Sequence, residues 1–534
     1  MKSRALVIVS YGLIVAIAVA RVASTWRVFS ATNDEPMHLI CGLDWWAGRP
    51  YTAQPDNPPL PRVLAALPFA MGGAHAPASG DNVPRGNAVL YSEGGYVRNL
   101  VRARAGNMLF LVLGILAVGA WGSRRFGPAT GVASAFFFGW LPPVRAHAGL
   151  ATTDMAAAAT FALAVVVLER WMDRPTVGRG AAVGAAIAAG LLSKLSFLPF
   201  FLLAAGTIVG VRLWRSDLRF RGTSAGAAAV VLGVGVWAGY RFDVGRLDRV
   251  FPTTPDLLAA VVPRPVLPAA LSVAANVPLP APMFFSGAAL LAAENRQGHE
   301  GYLLGNIRAR GWWYYFPVAL FFKTPLPFLV LAAVGVGMAA RARRRQIDIV
   351  LMPVAMLVSV LPASIDIGVR HLLPLYVPLS VAAAHGAVVL VKRAEWRLAA
   401  AGLIAWLVIG TETAHPDYLP WFNEAAGAHP ERILGDSNLD WGQDGLRLAD
   451  RMNRPGIDRM AILFSGTIEL ENHLGNRRRI GRALLPGDRG PGWYALSEQA
   501  LAMSAEARRG AYAWLDDYAL TRIGKSIRLY HVPR

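Results

Sequence analysis

The sequence predicts a mainly α, polytopic membrane protein of about eleven transmembrane helices, followed by a small extracytoplasmic α+β domain at the C-terminus. Three observations predict it. Of 534 residues, 54% are hydrophobic and only 16% are charged, where a soluble domain carries about 25% charged residues. Apolar runs of bilayer-crossing length recur along most of the chain. Basic residues gather in every second short loop, which marks the cytoplasmic side of a membrane protein.

The spans fall at 5–24, 105–121, 127–143, 152–170, 180–193, 195–213, 222–240, 314–338, 347–364, 371–391 and 397–411. The first follows MKSR and resembles a secretory signal peptide. With so many spans behind it, it reads as an uncleaved first helix. An odd number of crossings places the two ends of the chain on opposite sides. One loop holds Arg124 and Arg125, the next on that side Arg170, Arg174 and Arg179, then Arg212, Arg215, Arg219 and Arg221. Arg341, Arg343, Arg344 and Arg345 follow, then Lys392, Arg393 and Arg397. All five loops fall on the side of Lys2 and Arg4. The expected placement is a multi-pass protein of the cytoplasmic (inner) membrane, N-terminus inside and C-terminal domain outside.

Residues 1–411 then form the transmembrane domain, with outer loops 25–104 and 241–313, and residues 412–534 form the outer domain. Loop 241–313 is rich in proline and apolar residues, a composition suited to helices lying in the membrane interface. The tail alternates candidate helices (DGLRLADRM, SEQALAMSAEARRGA) with strand-like pieces (MAILFSG, SIRLYHV).

Net charge is +19. The tail is neutral, with 16 acids and 16 bases, so the excess lies wholly in residues 1–411. A basic membrane part points to anionic lipid head groups. No basic stripe lies on a soluble domain, which argues against nucleic acid as a partner. The one cysteine, Cys41, excludes an internal disulfide and paired-cysteine metal motifs. The phosphate-cradling GxxxxGK[ST] loop, a dinucleotide fingerprint before a helix and HExxH are all absent.

Candidate chemistry lies in the outer segments. Asp34 and His38 are four residues apart, on one face if a helix starts there, with Glu35 beside them. Paired carboxylates at a membrane boundary suit a general base or a bound cation. The stretch Asn33–Asp34–Glu35–Pro36 also reads as a helix cap. QPDNPPLPRVLAALP, 54–68, is a stiff turn before an apolar helix. Arg145, His147 and Asp154 lie around the outer ends of two spans, and Lys194 interrupts a long apolar run. Ionisable groups at membrane depth are functional suspects by default. Trp312 and Trp313 open GWWYYFPVALFFKTPLPFL, which reads as an interfacial aromatic belt or a sugar-stacking surface; Lys323 and the helix-breaking Thr324–Pro325 follow. Arg370, with Asp366 and His371, has the planar fork that clamps phosphate. GDSNLDWGQD, 435–444, concentrates Asp436, Asn438, Asp440, Trp441, Gln443 and Asp444. It lacks the glycine and glutamate of a calcium loop.

An enzyme working outside the cytoplasm has no supply of nucleotide sugars, so a transferase there needs an activated donor delivered through the membrane. In order and placement, Asp34–Glu35 with His38, NPPL, TTDM, LLSK, GWWYYFP…KTPLPFL, IGVRHLLP and DSNLDWGQD together resemble the GT-C membrane glycosyltransferases. The branch they are most similar to is the protein O-mannosyltransferase and aminoarabinose-transferase group, glycosyltransferase family 39. The resemblance covers most of the chain. It implies the GT-C fold and inverting transfer of a sugar from a polyprenyl-phosphate carrier to an acceptor outside the membrane. It assigns Asp34 as general base supported by Glu35. Arg370, then Lys194, His371 and Arg145, become binders of the donor phosphate. His38, Asp154, Trp312, Trp313, Asp440 and Trp441 become substrate contacts. No cofactor or metal is implied as obligatory, although part of the class uses a divalent metal. The partners implied are the lipid-linked sugar, the bilayer, and a glycan, lipid or protein acceptor. A transporter or flippase of lipid-linked sugars is the competing class. It calls for ionisable residues at mid-membrane and repeat symmetry between halves.

Overall fold

Each predicted span falls on a helix in the computed structural model, which describes residues 2–74, 76–93, 95–342, 346–475 and 481–534. Six helices are individually long and apolar enough to cross a membrane: Arg4–Ala23, Tyr96–Phe126, Asp154–Asp173, Phe197–Trp214, Gly222–Gly239 and Val369–Lys392. Four more, Pro128–Trp140, Val177–Ser193, Asp348–Val360 and Arg397–Thr413, run 13 to 17 residues, shorter than the ~20 of a straight crossing.

The span at 314–338 is broken into two helices, Tyr315–Lys323 and Leu326–Arg341, bent by 112°. Pro325 has no N–H to donate and forces Thr324 into an extended backbone, at φ −113° and ψ 135°. The bend is pinned where the Thr324 and Tyr376 hydroxyls meet at 2.8 Å.

The basic loops share one end of the bundle. Arg124 and Arg125 both reach Glu169 at 3.2 Å, Arg125 reaches Asp348 at 2.5 Å, and Arg212 reaches Asp173 at 2.7 Å. Arg343, Arg344 and Arg345 lie outside the described residues. Asp154 opens the helix that ends at Asp173, so it lies about 30 Å away, at the other end. Small residues allow close packing within the bundle. A Cβ at Gly180 or Gly184 would strike carbonyl oxygens of the helix Gly222–Gly239.

Loop 25–104 is largely helical, as Glu35–Trp46, Leu60–Ala70 and Asn82–Leu90. These helices pack Leu39, Ile40, Ala65 and Phe69 against Leu100 in a second apolar cluster. Loop 241–313 holds Thr254–Val261, Leu267–Asn276 and Pro282–Gln297, then a hairpin of Gly301–Leu303 and Asn306–Arg308. It leaves Phe242, Val266, Val273 and Phe285 exposed.

The tail contains a five-stranded mixed sheet in the order Gly481–Ala483, Met460–Leu463, Gly492–Ser497, Ile527–Val532, Thr521–Ile523. DGLRLADRM folds as the helix Gly445–Met452. SEQALAMSAEARRGA breaks in two at Ser504, whose hydroxyl accepts from Ala507 N–H and caps Ala505–Arg508. The tail is sewn to loop 25–104 by backbone. Ser30 N–H donates to Gln443 O and Asn33 N–H to Trp441 O, both at 3.0 Å. Buried Lys323 adds a clasp, its ammonium donating to the carbonyls of Leu419 at 2.8 Å and Asn438 at 2.6 Å.

Candidate active site

Asp34 precedes the helix Glu35–Trp46, yet its side chain makes no capping hydrogen bond. It turns instead to Arg370, whose Nη1 donates to Oδ2 at 2.8 Å. The carboxylate side chain is 37% exposed and the guanidinium only 10%, so the acid opens outward while the base forms the wall behind it. The tail fixes Arg370 twice. Asn438 Oδ1 accepts from the adjacent Val369 N–H at 2.9 Å. The Trp441 ring lies against the guanidinium, 4.2 Å from Cζ.

A second pair stands beside the first. Lys194 closes the helix Val177–Ser193 and reaches Asp154 at 2.5 Å. Asp154 is the first residue of its helix, where the helix dipole favours negative charge, and Thr152 donates to its other oxygen at 3.2 Å. Arg370 and Asp154 also feel each other's charge, so the two pairs form one cluster.

Three histidines border it, His38 and His147 buried and His371 half-buried. Burial, reinforced by Arg370, Lys323 and Lys194, pushes His147 down to about 3, so its ring is neutral; it packs edge-on to Trp441. Burial also holds His38 well below its ordinary range. His371 is half-buried against Phe316, and its buried Nε2 has no partner among the described residues.

Other predicted residues make their contacts elsewhere. Glu35 points away from Asp34 and is 1% exposed. Its carboxylate holds Arg104 through two 2.8 Å hydrogen bonds and accepts from Thr32 and Ala151 N–H. With its oxygens so engaged, it shapes the loop rather than taking protons. Arg145 Nη1 donates to Glu412 and Tyr418, and its Nε to Gly139 O. Asp440 accepts from the N–H groups of Gly442 and Gln499, and burial pushes it up to about 7. Trp312 is buried, donating its N–H to Asp366 at 2.6 Å. Trp313 is 68% exposed, as an interfacial belt requires. Sequence reasoning passed over the GxSxG string GTSAG, 222–226; its Ser224 hydroxyl donates to Arg221 O and accepts from Trp171 Nε1, and among the described residues no base pairs with it.

Sequence reasoning passed over Arg62 and Arg104, both 1% exposed. The available signal was an arginine inside an apolar helix, which must be buried with a partner. Among the described residues no group of three or more His, Cys, Asp or Glu is placed to hold a metal ion; Asp34 and Asp154 are each taken by a basic side chain. A cleft of about 310 Å³, lined by Tyr302, Glu431, Glu498, Tyr512, Arg528 and Tyr530, opens between the hairpin of loop 241–313 and the tail. It contains neither ion pair.

No family model and no curated protein sequence matches the chain. Solved structures resemble it in fold. One is ArnT from Cupriavidus metallidurans in the apo state, at 14% identity and a TM-score of 0.49, covering 99% of this chain and 98% of that one. The same protein bound to undecaprenyl phosphate gives 14% and 0.48, covering 97% of each. The oligosaccharyltransferase AglB from Archaeoglobus fulgidus, in complex with an inhibitory peptide and a dolichol-phosphate, gives 13% and 0.44, covering 98% of this chain and 74% of that one. ArnT is an aminoarabinose transferase, and both neighbours are GT-C glycosyltransferases. At these identities and scores the likeness assigns no residue a role; the roles rest on the side chains above.

Proposed function

We propose that this chain is a membrane glycosyltransferase that moves a sugar from a polyprenyl-phosphate carrier to a hydroxyl-bearing glycan, lipid or protein acceptor on the extracytoplasmic face. The observation that carries the reading is the Asp34–Arg370 pair at 2.8 Å beside Asp154–Lys194 at 2.5 Å. This places proton-accepting oxygens and phosphate-seeking cations together, at the end of the bundle opposite the basic loops. A lipid-linked phosphosugar needs both, and its prenyl chain keeps it at that surface. Residues 1–411 form the catalytic membrane part in this reading, and residues 412–534 an outer domain that closes the site through Trp441.

The reaction is a single displacement. The acceptor oxygen bonds to the anomeric carbon as its proton passes to an Asp34 oxygen. The bond from that carbon to the phosphate oxygen breaks, its electron pair leaves with polyprenyl phosphate, and the anomeric centre inverts. Negative charge grows on the departing phosphate, where Arg370 and Lys194 stabilise it. Arg370 cannot be deprotonated and offers a fixed fork of donors. When the donor phosphate binds, it competes for this fork and releases the Asp34 oxygens to the acceptor.

The test is to incubate the purified protein with radiolabelled polyprenyl-phosphate sugars and an envelope extract as acceptor. Release of polyprenyl phosphate from at least one donor is expected. No release from any donor overturns the proposal.

A further inference from the structure

Arg62 sits on the helix Leu60–Ala70, buried to 1% exposure. A guanidinium never gives up its charge, so a buried one must spend its N–H groups on acceptors. Arg62 Nη1 donates to the Tyr51 hydroxyl at 3.0 Å and to Gln54 O at 3.1 Å, and Nη2 donates to Gln54 Oε1. Its Nε donates to Nδ1 of His38 at 2.8 Å.

That last bond fixes the chemistry of His38. Arginine can only donate, so Nδ1 must carry a bare lone pair. In the neutral ring the proton is then on Nε2. Protonating Nδ1 would set N–H against N–H beside a permanent cation. His38 therefore cannot serve as a base at either nitrogen. It is a neutral donor through Nε2–H, and no protein partner for that group is found among the described residues. The charged groups facing His38, besides Arg62, are Asp154, Arg370 and Lys194. Asp34 is one helical turn before it, its carbonyl accepting His38 N–H at 3.0 Å. The spare donor thus stands among the cations assigned to the donor phosphate.

We propose that Arg62 is a positioning residue that locks His38 in the Nε2–H tautomer, so that His38 donates a hydrogen bond to a phosphate oxygen of the bound polyprenyl carrier. The phosphate contact rests on the transferase reading; the tautomer does not. Burial, which disfavours the imidazolium, acts in the same direction.

The test is solid-state NMR on the full chain in lipid bilayers, with ¹⁵N-labelled histidine and the His38 signal assigned by its loss in His38→Gln. The expected result is a bare Nδ1 and a protonated Nε2, unchanged from pH 5 to pH 8. In Arg62→Met, burial still keeps the ring neutral, but its proton should be shared between Nδ1 and Nε2, while Arg62→Lys, which can still donate to Nδ1, should restore the single Nε2–H tautomer. An imidazolium at pH 5, or a proton on Nδ1, in the wild type overturns the proposal. A second measurement reads binding of polyprenyl phosphate alone. His38→Ala should weaken it about tenfold and His38→Gln, which keeps an N–H donor, should recover most of the loss. Wild-type affinity in His38→Ala overturns the phosphate contact. Neither measurement depends on turnover, so failure of the transferase reading is scored separately.

Discussion

Trp441 lies against the Arg370 guanidinium, 4.2 Å from Cζ to ring centre, so the tail contributes a wall to a candidate site whose acid comes from loop 25–104. Cation–π contacts of this kind contribute about 0.5–2 kcal/mol. Trp441→Leu should therefore weaken polyprenyl phosphate binding by roughly 3- to 30-fold, and Trp441→Phe by less. Arg370→Lys, which keeps charge but loses the planar fork, should weaken it further. Titration of the lipid into each purified variant checks this order.

Adjacent Asp34 and Glu35 should fail in different ways. Glu35 and Arg104 are each 1% exposed and joined at 2.8 Å. Breaking a buried pair from one side costs roughly 3–5 kcal/mol. Glu35→Gln should lower the melting temperature steeply, whereas Asp34→Asn, at a half-open position, should leave it nearly unchanged. Thermal unfolding in one detergent compares the two.

Asp366 supplies a pH dependence with a definite sign. Burial pushes its carboxyl up to about 6, against the pull of the Trp312 N–H, while an unfolded aspartate titrates near ~3.9. The folded value is raised, so its stabilising contribution is complete below about pH 4 and is lost as pH rises through about 6. Asp366→Asn removes this dependence. The wild-type melting temperature minus that of the variant should fall between about pH 4 and pH 7, then level off.

The orientation can be read with cysteine labels, since the one native cysteine, Cys41, is buried. In a Cys41→Ala background, His429→Cys should react with an impermeant maleimide on intact spheroplasts. Arg174→Cys, at the basic end of the helix Asp154–Asp173, should react only after permeabilisation. The reverse pattern would place the site in the cytoplasm.

Hydrophobic length and charge made the membrane part legible in the sequence, because both are local properties. The Arg125–Asp348 contact shows two of the basic loops meeting at one end, as their alternation implied. Pairing was not legible. Asp34 and Arg370 are 336 positions apart, and both were singled out for chemistry, but their contact depends on how the tail seats on the bundle. The Glu35–Arg104 pairing was not legible either: one residue along a helix turns a side chain by about 100°, which sends Glu35 to Arg104 while Asp34 meets Arg370. The break at Thr324–Pro325 was visible as a helix breaker, yet its 112° angle is set by the surrounding packing. Strand Gly492–Ser497 was missed because GWYALS shows no clean apolar–polar alternation: its last four residues are all buried, and such runs do not reveal themselves by period.

The most direct test of the central claim is single-turnover sugar release by wild type and Asp34→Asn, with binding of polyprenyl phosphate measured on the same samples. If Asp34 takes the acceptor proton, the variant should bind the lipid at least as well as wild type, since Arg370 is freed, and release sugar about 10²–10⁴-fold more slowly. Release at the wild-type rate from Asp34→Asn would contradict the account.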